Sequence, residues 1–425
     1  MTISPATRAE VLEWIRRTAH PLSAVELSAP LDDLRPLIGA LDGRATVVGY
    51  GSGTRGAHEV FALQARIARL LVEEAGFRAV ALDEDWTLVG RLDAYVRTGA
   101  GDAHSVLKQM DARSRTQEIL ELIEWLREFN GAHLADPVRL VGLNVQQMRD
   151  AAYDTVVEHV RRAAPERLDE LNACYAELRP GADVPAHSLR FRNLPDRRMW
   201  IDRAQSAHAL VVGLPRQADG HAWALRTARA IVQYYELHDH DSRPSDPRNM
   251  AYLERSFAEN LTWWREHTGQ KVVFWSSSSH TSDGRARAIN FPPGPARVSR
   301  NTGSHLRERL GRGYVSIGLT FGSGELATYT DAPPHRVPDA RPPLTESVLS
   351  APGLGSYLLD LGVDAPPAAA EWLSQAARLR AIGTHYDPDD DASHHMTGGS
   401  LAEWFDVLVH HGHVTPSRPL GGENP

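Results

Sequence analysis

The amino-acid sequence predicts an α/β fold, with a mostly parallel central sheet, flanking helices and a helical cap inserted into the chain. Two observations predict it: short apolar runs of strand length recur along the chain, and the stretches between them place apolar residues at helical spacing. Helices join the first three runs, so parallel pairing through right-handed crossovers follows. The predicted strands cover residues 45–50, 79–85, 138–145, 272–277, 314–320, 380–386 and 405–410.

The helix after the first run has the clearest pattern. Its apolar residues form one stripe, and Gly76 stands between that stripe and the second run. A glycine there supplies the left-handed conformation that ends many helices. The stripe consists of Val60, Leu63, Ile67, Leu70 and Leu71.

The middle of the chain has a different pattern. Residues 148–268 show no convincing strand but several amphipathic segments, and the clearest of these has apolar residues at 250, 253, 257, 261 and 264. We therefore predict a helical insertion, or cap, at 148–268, and an α/β core formed by 1–147 and 269–425. The proline-rich stretches 291–297 and 331–344 are predicted surface loops, because proline lacks an N–H donor and fixes φ.

The composition indicates which binding partners and which cellular compartment to expect. The 425 residues carry 46 Lys+Arg and 54 Asp+Glu, a net charge of −8, which argues against nucleic acid or an anionic membrane as the main partner. No apolar run reaches the ~18 residues of a membrane helix, and no secretory signal is visible. The single cysteine, Cys174, excludes an internal disulfide or a CxxC site, so we expect a reducing cytoplasm.

Polar residues follow four of the predicted strands at the point where each strand ends. In an open parallel sheet, ligands bind beyond these carboxyl ends, so the sequence predicts a small-molecule cleft there. The polar sets are the loop 51–59, the acidic run 83–85, Asn144 with its neighbours, and the serine run 276–279 followed by His280.

The loop after the first strand also fits a dinucleotide fingerprint. Gly51, Gly53 and Gly56 match G-x-G-x-x-G between a strand and a helix. The acidic residue that binds the ribose is expected about 20 residues further on, whereas Asp83 lies 27 residues after Gly56. Such a loop and helix start bind other anions equally well, so a nucleotide remains the rival interpretation.

Other catalytic patterns are weaker. His238-Asp-His240-Asp241 and His410-His-Gly-His413 contain metal-ligand residue types, but they lack helical spacing or a cysteine set, and we predict solvated loops. No G-x-S-x-G elbow is present, which argues against a serine-nucleophile hydrolase. We expect neither a metal nor a cofactor.

Several segments together resemble the erythromycin esterase family, whose fold is related to the ChaN-like haem-binding proteins. The resemblance implies that fold, and an activity that hydrolyses a macrolactone ester with a histidine as general base, acidic residues and no obligatory metal. The matching segments are V-G-Y-G-S-G-T-R-G-A-H-E at 48–59, V-F-W-S-S-S-S-H at 273–280, and residues 76–86, 118–130, 248–250, 306–310, 317–322 and 380–383.

The chain departs from the family pattern at the strand ends. Ser52 and Arg55 stand where the family has a glutamate and its basic histidine. Asp83 replaces a glutamate, Asn144 an aspartate, and Ser277 the first histidine of an A-H-N-x-H segment, whose second histidine is kept as His280. The segments between these positions still match, so we favour a rebuilt site over an inactive one.

The arginine at position 55 changes the chemistry most. A guanidinium has no acceptor lone pair and stays protonated at pH 7, so Arg55 cannot activate water. It can bind a carboxylate or phosphate, or stabilise developing negative charge. An alternative is a structural pair between Arg55 and Asp83.

These arguments give the predicted roles. The catalytic candidates are His280, which suits proton transfer near neutral pH, with Asp83, Glu84 and Arg55. Strand alternation places Asp83 and Asp85 on one side and Glu84 on the other. The substrate-binding candidates are Ser52, Thr54, His58, Glu59, Asp85, Asn144, Ser277 and Arg248, although Glu59 also suits a first-turn dipole partner.

The predicted function is acid–base chemistry on a specialised metabolite, such as cyclisation, elimination or isomerisation, with a small-molecule substrate that carries an anionic group. The alternatives are an ester or lactone hydrolase and a non-catalytic ligand-binding or resistance protein.

Overall fold

The structure is a computed structural model that describes residues 4–216, 220–239, 247–328 and 333–421. The chain divides into two compact units. The first unit contains Met1–Leu82, Arg91–Val141 and Trp264–Pro425, and the second contains Asp83–Gly90 and Gly142–Trp263.

Helices and strands alternate over most of the chain. The helices are α1 (Pro5–Thr18), α2 (Pro36–Ala40), α3 (His58–Ala75), α4 (Trp86–Thr98), α5 (Ala103–Leu107), α6 (Gln117–Ala132), α7 (Asp150–Ala163), α8 (Leu168–Tyr175), α9 (Val184–Arg192), α10 (Arg198–Val212), α11 (His221–Asp239), α12 (Pro247–Thr268), α13 (Ser278–Thr281), α14 (Thr302–Leu310), α15 (Glu346–Leu349), α16 (Pro367–Ser374) and α17 (Leu401–Trp404). The strands are β1 (His20–Pro21), β2 (Val47–Ser52), β3 (Phe77–Asp85), β4 (Arg139–Asn144), β5 (Lys271–Ser277), β6 (Ala288–Asn290), β7 (Arg297–Val298), β8 (Tyr314–Leu326), β9 (His335–Val337), β10 (Ser356–Asp360), β11 (Leu379–Arg380), β12 (His395–Thr397) and β13 (Val407–Val414). Short 3-10 helices cover Asp32–Leu34, Ala112–Ser114, Pro165–Arg167, Gly311–Gly313 and Pro388–Ser393.

The strands of the described residues form two sheets. The larger has the order β1–β10–β13–β8–β2–β5–β3–β4, with β9 beside β8, and the smaller has the order β11–β12–β6–β7. In the larger sheet β13, β8, β2, β5 and β3 pair in parallel, whereas β1, β10 and β9 pair antiparallel. The predicted α/β class with a mostly parallel sheet is confirmed.

The first crossover helix matches its prediction. α3 begins at His58, and the residues of its predicted stripe are buried. Gly76 has φ = 71°, and its N–H donates to the carbonyl of Leu71, which closes the helix. The left-handed conformation therefore explains the glycine at this position.

The predicted strand at 380–386 is wrong after its first residue. β11 ends at Arg380. The N–H of Ala381 still donates to the carbonyl of His394 at 2.9 Å, in register with β12, whereas the N–H of Ile382 leaves the ladder and donates to the carbonyl of Gly53 at 2.8 Å. The chain thus turns from the small sheet to the loop after β2.

The sequence also under-predicts strands. β10 was not predicted, because its apolar run is only three residues long, although Tyr357, Leu358 and Leu359 are buried and pair with β13. The predicted loops include Arg297 of β7 and the whole of β9, which pair with β6 and β8, so the loop prediction is wrong at these residues. Asp331 and Ala332 lie outside the described residues.

In the first unit, α1, α15, α16 and α17 cover one part of the apolar core. Trp14, Trp372, Trp404 and Tyr357 belong to one buried cluster with Leu408 of β13. Burying a large apolar side chain contributes about 1.5–3 kcal/mol, so this cluster stabilises the antiparallel edge of the sheet.

The second unit contains α7 to α11, and its interior is rich in tyrosine. The hydroxyl of Tyr235 donates to the carbonyl of Leu178 at 2.6 Å and lies 3.0 Å from both the Tyr153 hydroxyl and His187 Nε2. These bonds satisfy polar groups that would otherwise be costly to bury. In the described residues, no helix has the length and hydropathy to cross a membrane.

Candidate functional site

The carboxyl ends of β2 and β5 lie side by side in the first unit, because the two strands pair in parallel. In the parallel ladder Ser52 is the partner of Ser277, and Gly51 is the partner of Ser276. A side chain at Gly51 would overlap the backbone of Ser278, so the close approach of α13 requires glycine there.

Arg55 lies in the loop between β2 and α3. Its side chain is partly buried, and its Nη2 lies 3.4 Å from Ser276 Oγ at the end of β5. The guanidinium therefore reaches from the β2 loop to the neighbouring strand end.

The side chains of Ser52 and Thr54 hold the loop in shape. Ser52 Oγ donates to the carbonyl of Thr54 at 2.6 Å, and Thr54 Oγ1 accepts from the N–H of Gly56 at 3.2 Å. Both residues are buried, at 2% and 4% exposure, so they support the conformation that presents Arg55.

The glycines of the dinucleotide fingerprint are explained by packing against the protein itself. A Cβ at Gly53 would lie 2.5 Å from the carbonyl oxygen of Arg380, and one at Gly56 would overlap the carbonyl of Ala327. The N–H groups of Gly53 and His58 donate to backbone carbonyls, at 3.3 and 2.8 Å. Donors that would bind a pyrophosphate are thus already used, which weakens the nucleotide interpretation.

His58 is held between two carboxylates. Its Nδ1 lies 2.8 Å from Glu118 Oε1, and its Nε2 lies 3.1 Å from Glu26 Oε1. The hydrogen bond with Glu118 is the largest cause that raises the pKa of His58, to about 9, although burial opposes the shift. His58 is therefore an imidazolium at neutral pH and has no lone pair to accept a proton.

Glu118, the buried partner of His58, is in turn bound by the C-terminal segment. Although burial opposes it, hydrogen bonds from His58 and Arg418 lower the pKa of Glu118. Arg418 donates to Glu118 Oε1 through its backbone N–H and its Nε, at 3.1 and 3.0 Å. Glu59 accepts from the backbone and hydroxyl of Thr415, at 2.6 and 2.7 Å, so it also anchors this segment.

His280 lies in the single-turn helix α13, directly after β5, and its side chain is partly exposed. Two contacts hold this turn. Ser277 Oγ lies 2.6 Å from Ser279 Oγ, and Nδ2 of Asn301, the residue before α14, donates to the carbonyl of Ser279 at 2.9 Å. These contacts fix the backbone that carries His280.

The acidic run belongs to the second unit. Glu84 and Asp85 are buried, at 6% and 7% exposure, and Asp83 is partly buried. Asp85 Oδ1 accepts from the N–H groups of Thr87 and Leu88, at 2.8 and 3.0 Å, and its Oδ2 lies 3.2 Å from Arg149 Nε. Asp85 thus fixes the start of α4 and is fully engaged in structural contacts.

Asn144 and Arg248 are also in the second unit. Asn144 Nδ2 donates to the carbonyl of Asp83 at 3.3 Å and to Gln146 Oε1 at 3.0 Å, and its Oδ1 accepts from the N–H of Gln146. It therefore joins the ends of β3 and β4. Arg248 is exposed in the first turn of α12.

The sequence model of the erythromycin esterase family matches residues 72–414. The chain belongs to the erythromycin esterase family. A Bacillus subtilis (strain 168) protein named as a proposed hydrolase, YbfO, is 23% identical to this chain over 332 residues. The match covers 73% of this chain and 72% of that protein.

Solved structures extend the match to the whole fold. A Bacillus cereus protein is 26% identical with a TM-score of 0.85, over 97% of this chain and 99% of that chain. A succinoglycan biosynthesis protein is 25% identical with a TM-score of 0.83, over 98% and 100%. An erythromycin esterase variant, EreC in its open conformation, is 15% identical with a TM-score of 0.67, over 95% and 100%, and shares the fold.

In this member of the erythromycin esterase family, the sequence-predicted candidates fall into two sets. The first unit contains Ser52, Thr54, Arg55, His58, Glu59, Ser277 and His280. The second unit contains Asp83, Glu84, Asp85, Asn144 and Arg248.

The histidine group at 410–413, predicted as a solvated loop, lies in a strand instead. His410 lies in β13 at 1% exposure, where its two ring nitrogens lie 3.0 Å from Thr320 Oγ1 and 3.1 Å from Ser350 Oγ. Burial lowers the pKa of His410 to about 3, so the prediction of a solvated loop is wrong here. His238 lies in the last turn of α11, which ends at Asp239, whereas His240 and Asp241 lie outside the described residues. Among the residues described, no cluster of His, Cys, Asp and Glu could hold a metal ion.

Sequence reasoning missed two buried residues that support the loop carrying Arg55. Gln64 Nε2 donates to the carbonyls of Tyr50 and Ser276, both at 3.2 Å, and so joins the ends of β2 and β5. The signal for Gln64 is a polar side chain beside the apolar stripe of α3.

Arg380 is the second missed residue. Its guanidinium is fully buried, and it donates from Nε and Nη2 to Asp391, at 2.9 and 2.7 Å. Its other N–H groups donate to the carbonyls of Phe321, Gly322 and Pro338, so all five donors are satisfied. Its own carbonyl packs on Gly53. The signal is an arginine within a run of apolar residues.

Proposed function

We propose that this protein is an enzyme that acts on a specialised metabolite, a polyketide or peptide natural product, by acid–base chemistry rather than through a histidine-activated water. The reaction classes are ring closure, elimination and isomerisation. Arg55 holds an anionic group of the substrate, and His280 moves a proton. We also propose that it acts in a reducing cytoplasm, since its single cysteine makes no disulfide.

One observation carries the proposal: the loop at 52–59 offers two cations and no neutral imidazole. Arg55 replaces the histidine that the family resemblance places there, and the one histidine of the loop, His58, is an imidazolium. With a pKa of about 9, about 1% of His58 rings are neutral at pH 7. This loop therefore cannot supply a histidine as general base for water, whereas a guanidinium beside Ser276 suits a carboxylate.

The alternative is an ester or lactone hydrolase, which the family and the name of YbfO favour. In that case the base comes from outside the loop, and His280 or a carboxylate positions the water. Asp83 is the second candidate for proton transfer in either reaction.

The experiment compares two substrates. The protein is incubated with a macrolactone and, separately, with an open-chain polyketide carboxylate, and the products are identified by mass spectrometry. We expect the macrolactone to gain no water and the carboxylate to bind saturably and be converted. Arg55→Gln removes a charged hydrogen-bond donor and should weaken carboxylate binding about 10- to 100-fold.

His280→Gln should abolish conversion and leave binding intact, and Asp83→Asn tests the second proton-transfer candidate. Arg312→Gln and His385→Gln are matched controls on exposed side chains and should change neither step. Macrolactone hydrolysis at equal rates in the parent and Arg55→Gln would overturn the proposal in favour of the hydrolase. Binding without any product would overturn it in favour of a non-catalytic ligand-binding protein.

A further inference from the structure

A cavity of about 380 Å³ lies in the first unit and shares no lining residue with the loop that carries Arg55. Its walls come from the first turn of α1, the segment 342–348, the residues that follow α16, and Leu401. Pockets that bind small molecules have volumes of about 300–1,000 Å³. The cavity is therefore large enough for a small organic ligand.

The floor of the cavity is apolar. Val348, Trp372 and Leu401 are buried, at 6%, 7% and 1% exposure, and all three belong to the core cluster between α1 and β10. Leu344, at 2% exposure, extends this surface. An aliphatic or aromatic group bound there would be transferred from water to a preformed apolar surface, which is favourable.

Among the described residues that line the cavity, Arg8 has the one charged side chain. Its Nη2 donates to the carbonyl of Ser347 at 2.9 Å, which fixes the guanidinium at the wall. A guanidinium has five N–H donors, and this is the one hydrogen bond that Arg8 makes to the residues described. The other N–H groups of Arg8 make no hydrogen bond to the described residues.

The other polar lining groups are engaged with the protein. Thr345 Oγ1 accepts from the N–H of Arg378 at 3.2 Å, and Ser347 Oγ donates to the carbonyl of Leu344 at 2.7 Å. Gln375 Nε2 donates to Glu371 Oε1 at 3.4 Å. Recognition of an anionic ligand group by the described lining residues therefore depends on Arg8, their one cation.

We propose that this cavity binds an amphiphilic monocarboxylate, with its tail on Val348 and Trp372 and its carboxylate on Arg8. A planar carboxylate matches the fork of a guanidinium and accepts two hydrogen bonds from it. A dianion such as a phosphate monoester would leave one charge uncompensated next to an apolar floor, which is unfavourable. This site is independent of the proposed function at Arg55.

Titration calorimetry with three ligands of equal chain length tests the proposal. We expect octanoate to bind saturably, octan-1-ol to bind at least tenfold more weakly, and octylamine not to bind. Arg8→Gln should weaken octanoate about 10- to 100-fold and leave octan-1-ol unchanged, because it removes the charge and keeps the floor. Arg16→Gln, an exposed arginine on the same helix, is the matched control and should have no effect.

Two further variants separate this site from others. Ala376→Leu places additional carbon atoms in the cavity and should weaken octanoate and octan-1-ol alike. Arg55→Gln should leave octanoate binding unchanged, so failure of one proposal is distinguishable from failure of the other. Equal binding of all three ligands, full octanoate affinity in Arg8→Gln, or its loss in Arg55→Gln would overturn the inference.

Discussion

The ionic contact of His58 gives the first prediction, because its energy depends on pH in a direction that the structure fixes. We consider the change His58→Gln, which removes the ring charge and retains a polar side chain of similar length. The wild-type ring lies between Glu118 and Glu26, and its side chain is 14% exposed. Little solvent therefore screens the contact with Glu118.

The expected magnitude follows from the shift in pKa. The pKa of His58 is raised from 6.5 to about 9, so folding favours the protonated ring. Stability from a raised pKa is fully present below the unfolded value and is lost as pH rises through the folded value. The contribution is about 3 kcal/mol at pH 6, about 2.5 kcal/mol at pH 7 and close to zero at pH 10.

Urea denaturation at pH 6, 7, 8, 9 and 10 measures this difference between the wild type and His58→Gln. The wild type should be more stable at pH 6, and the two proteins should converge by pH 10. NMR of histidine-labelled protein supplies the direct measurement, since one ring resonance should titrate near pH 9 and be absent in the variant. His385→Gln, at an exposed histidine, is the matched control. A His58 resonance that titrates near 6.5, or a destabilisation equal at pH 6 and 10, would refute the assignment.

Two further predictions concern buried carboxyl groups. Burial raises the pKa of Glu346 from 4.5 to about 7, although the charge of Arg380 opposes this shift. The contribution of Glu346 to the free energy of unfolding is therefore most favourable below pH 4.5, and it is lost as pH rises through 7. Glu346→Gln should therefore gain about 2.5 kcal/mol relative to the wild type between pH 5 and pH 8 in urea denaturation, and a difference independent of pH would contradict this. Asp85→Ala removes the bonds to Thr87, Leu88 and Arg149, and thermal unfolding should show a loss of about 1–3 kcal/mol. Asp136→Ala, which pairs with Arg78 at an exposed position, is the control, and equal effects of the two changes would show that Asp85 has no structural role.

The sequence predicts the parallel core well because the signal is local. The spacing of apolar residues and the position of glycine identify α3 and its Gly76 cap, and the apolar runs identify β2 and β5 as strands, although they do not give the strand order. The prediction fails where distant contacts decide the outcome. Residues 380–386 have strand composition, yet the hydrogen bond from Ile382 to Gly53 draws the chain out of the ladder. A contact between residues so far apart has no sequence signal.

The role of His58 shows the same limit within the candidate site. Its partners Glu26 and Glu118 lie 32 and 60 residues away along the chain, and Arg418 is near the C-terminus. From the sequence, His58 was therefore a binding candidate like its neighbours. The glycines of the same loop were equally ambiguous, because a phosphate and a backbone carbonyl both require the absence of a Cβ. The carbonyls of Arg380 and Ala327 decide that question.

The proposed function implies that the loop has been rebuilt as a unit, and this hypothesis gives the last prediction. The family resemblance places a glutamate at position 52 and a histidine at position 55. Ser52 is 2% exposed, and its hydroxyl holds Thr54 inside the loop, so a glutamate there would bury an unpaired charge or distort the loop. Arg55→His alone restores an imidazole without the carboxylate that accompanies it in the family pattern. We therefore expect Arg55→His to hydrolyse a macrolactone no faster than the wild type. A rate above that of the wild type in the same assay would show that the guanidinium alone suppresses an otherwise intact hydrolase, and the proposed rebuilt chemistry would be wrong.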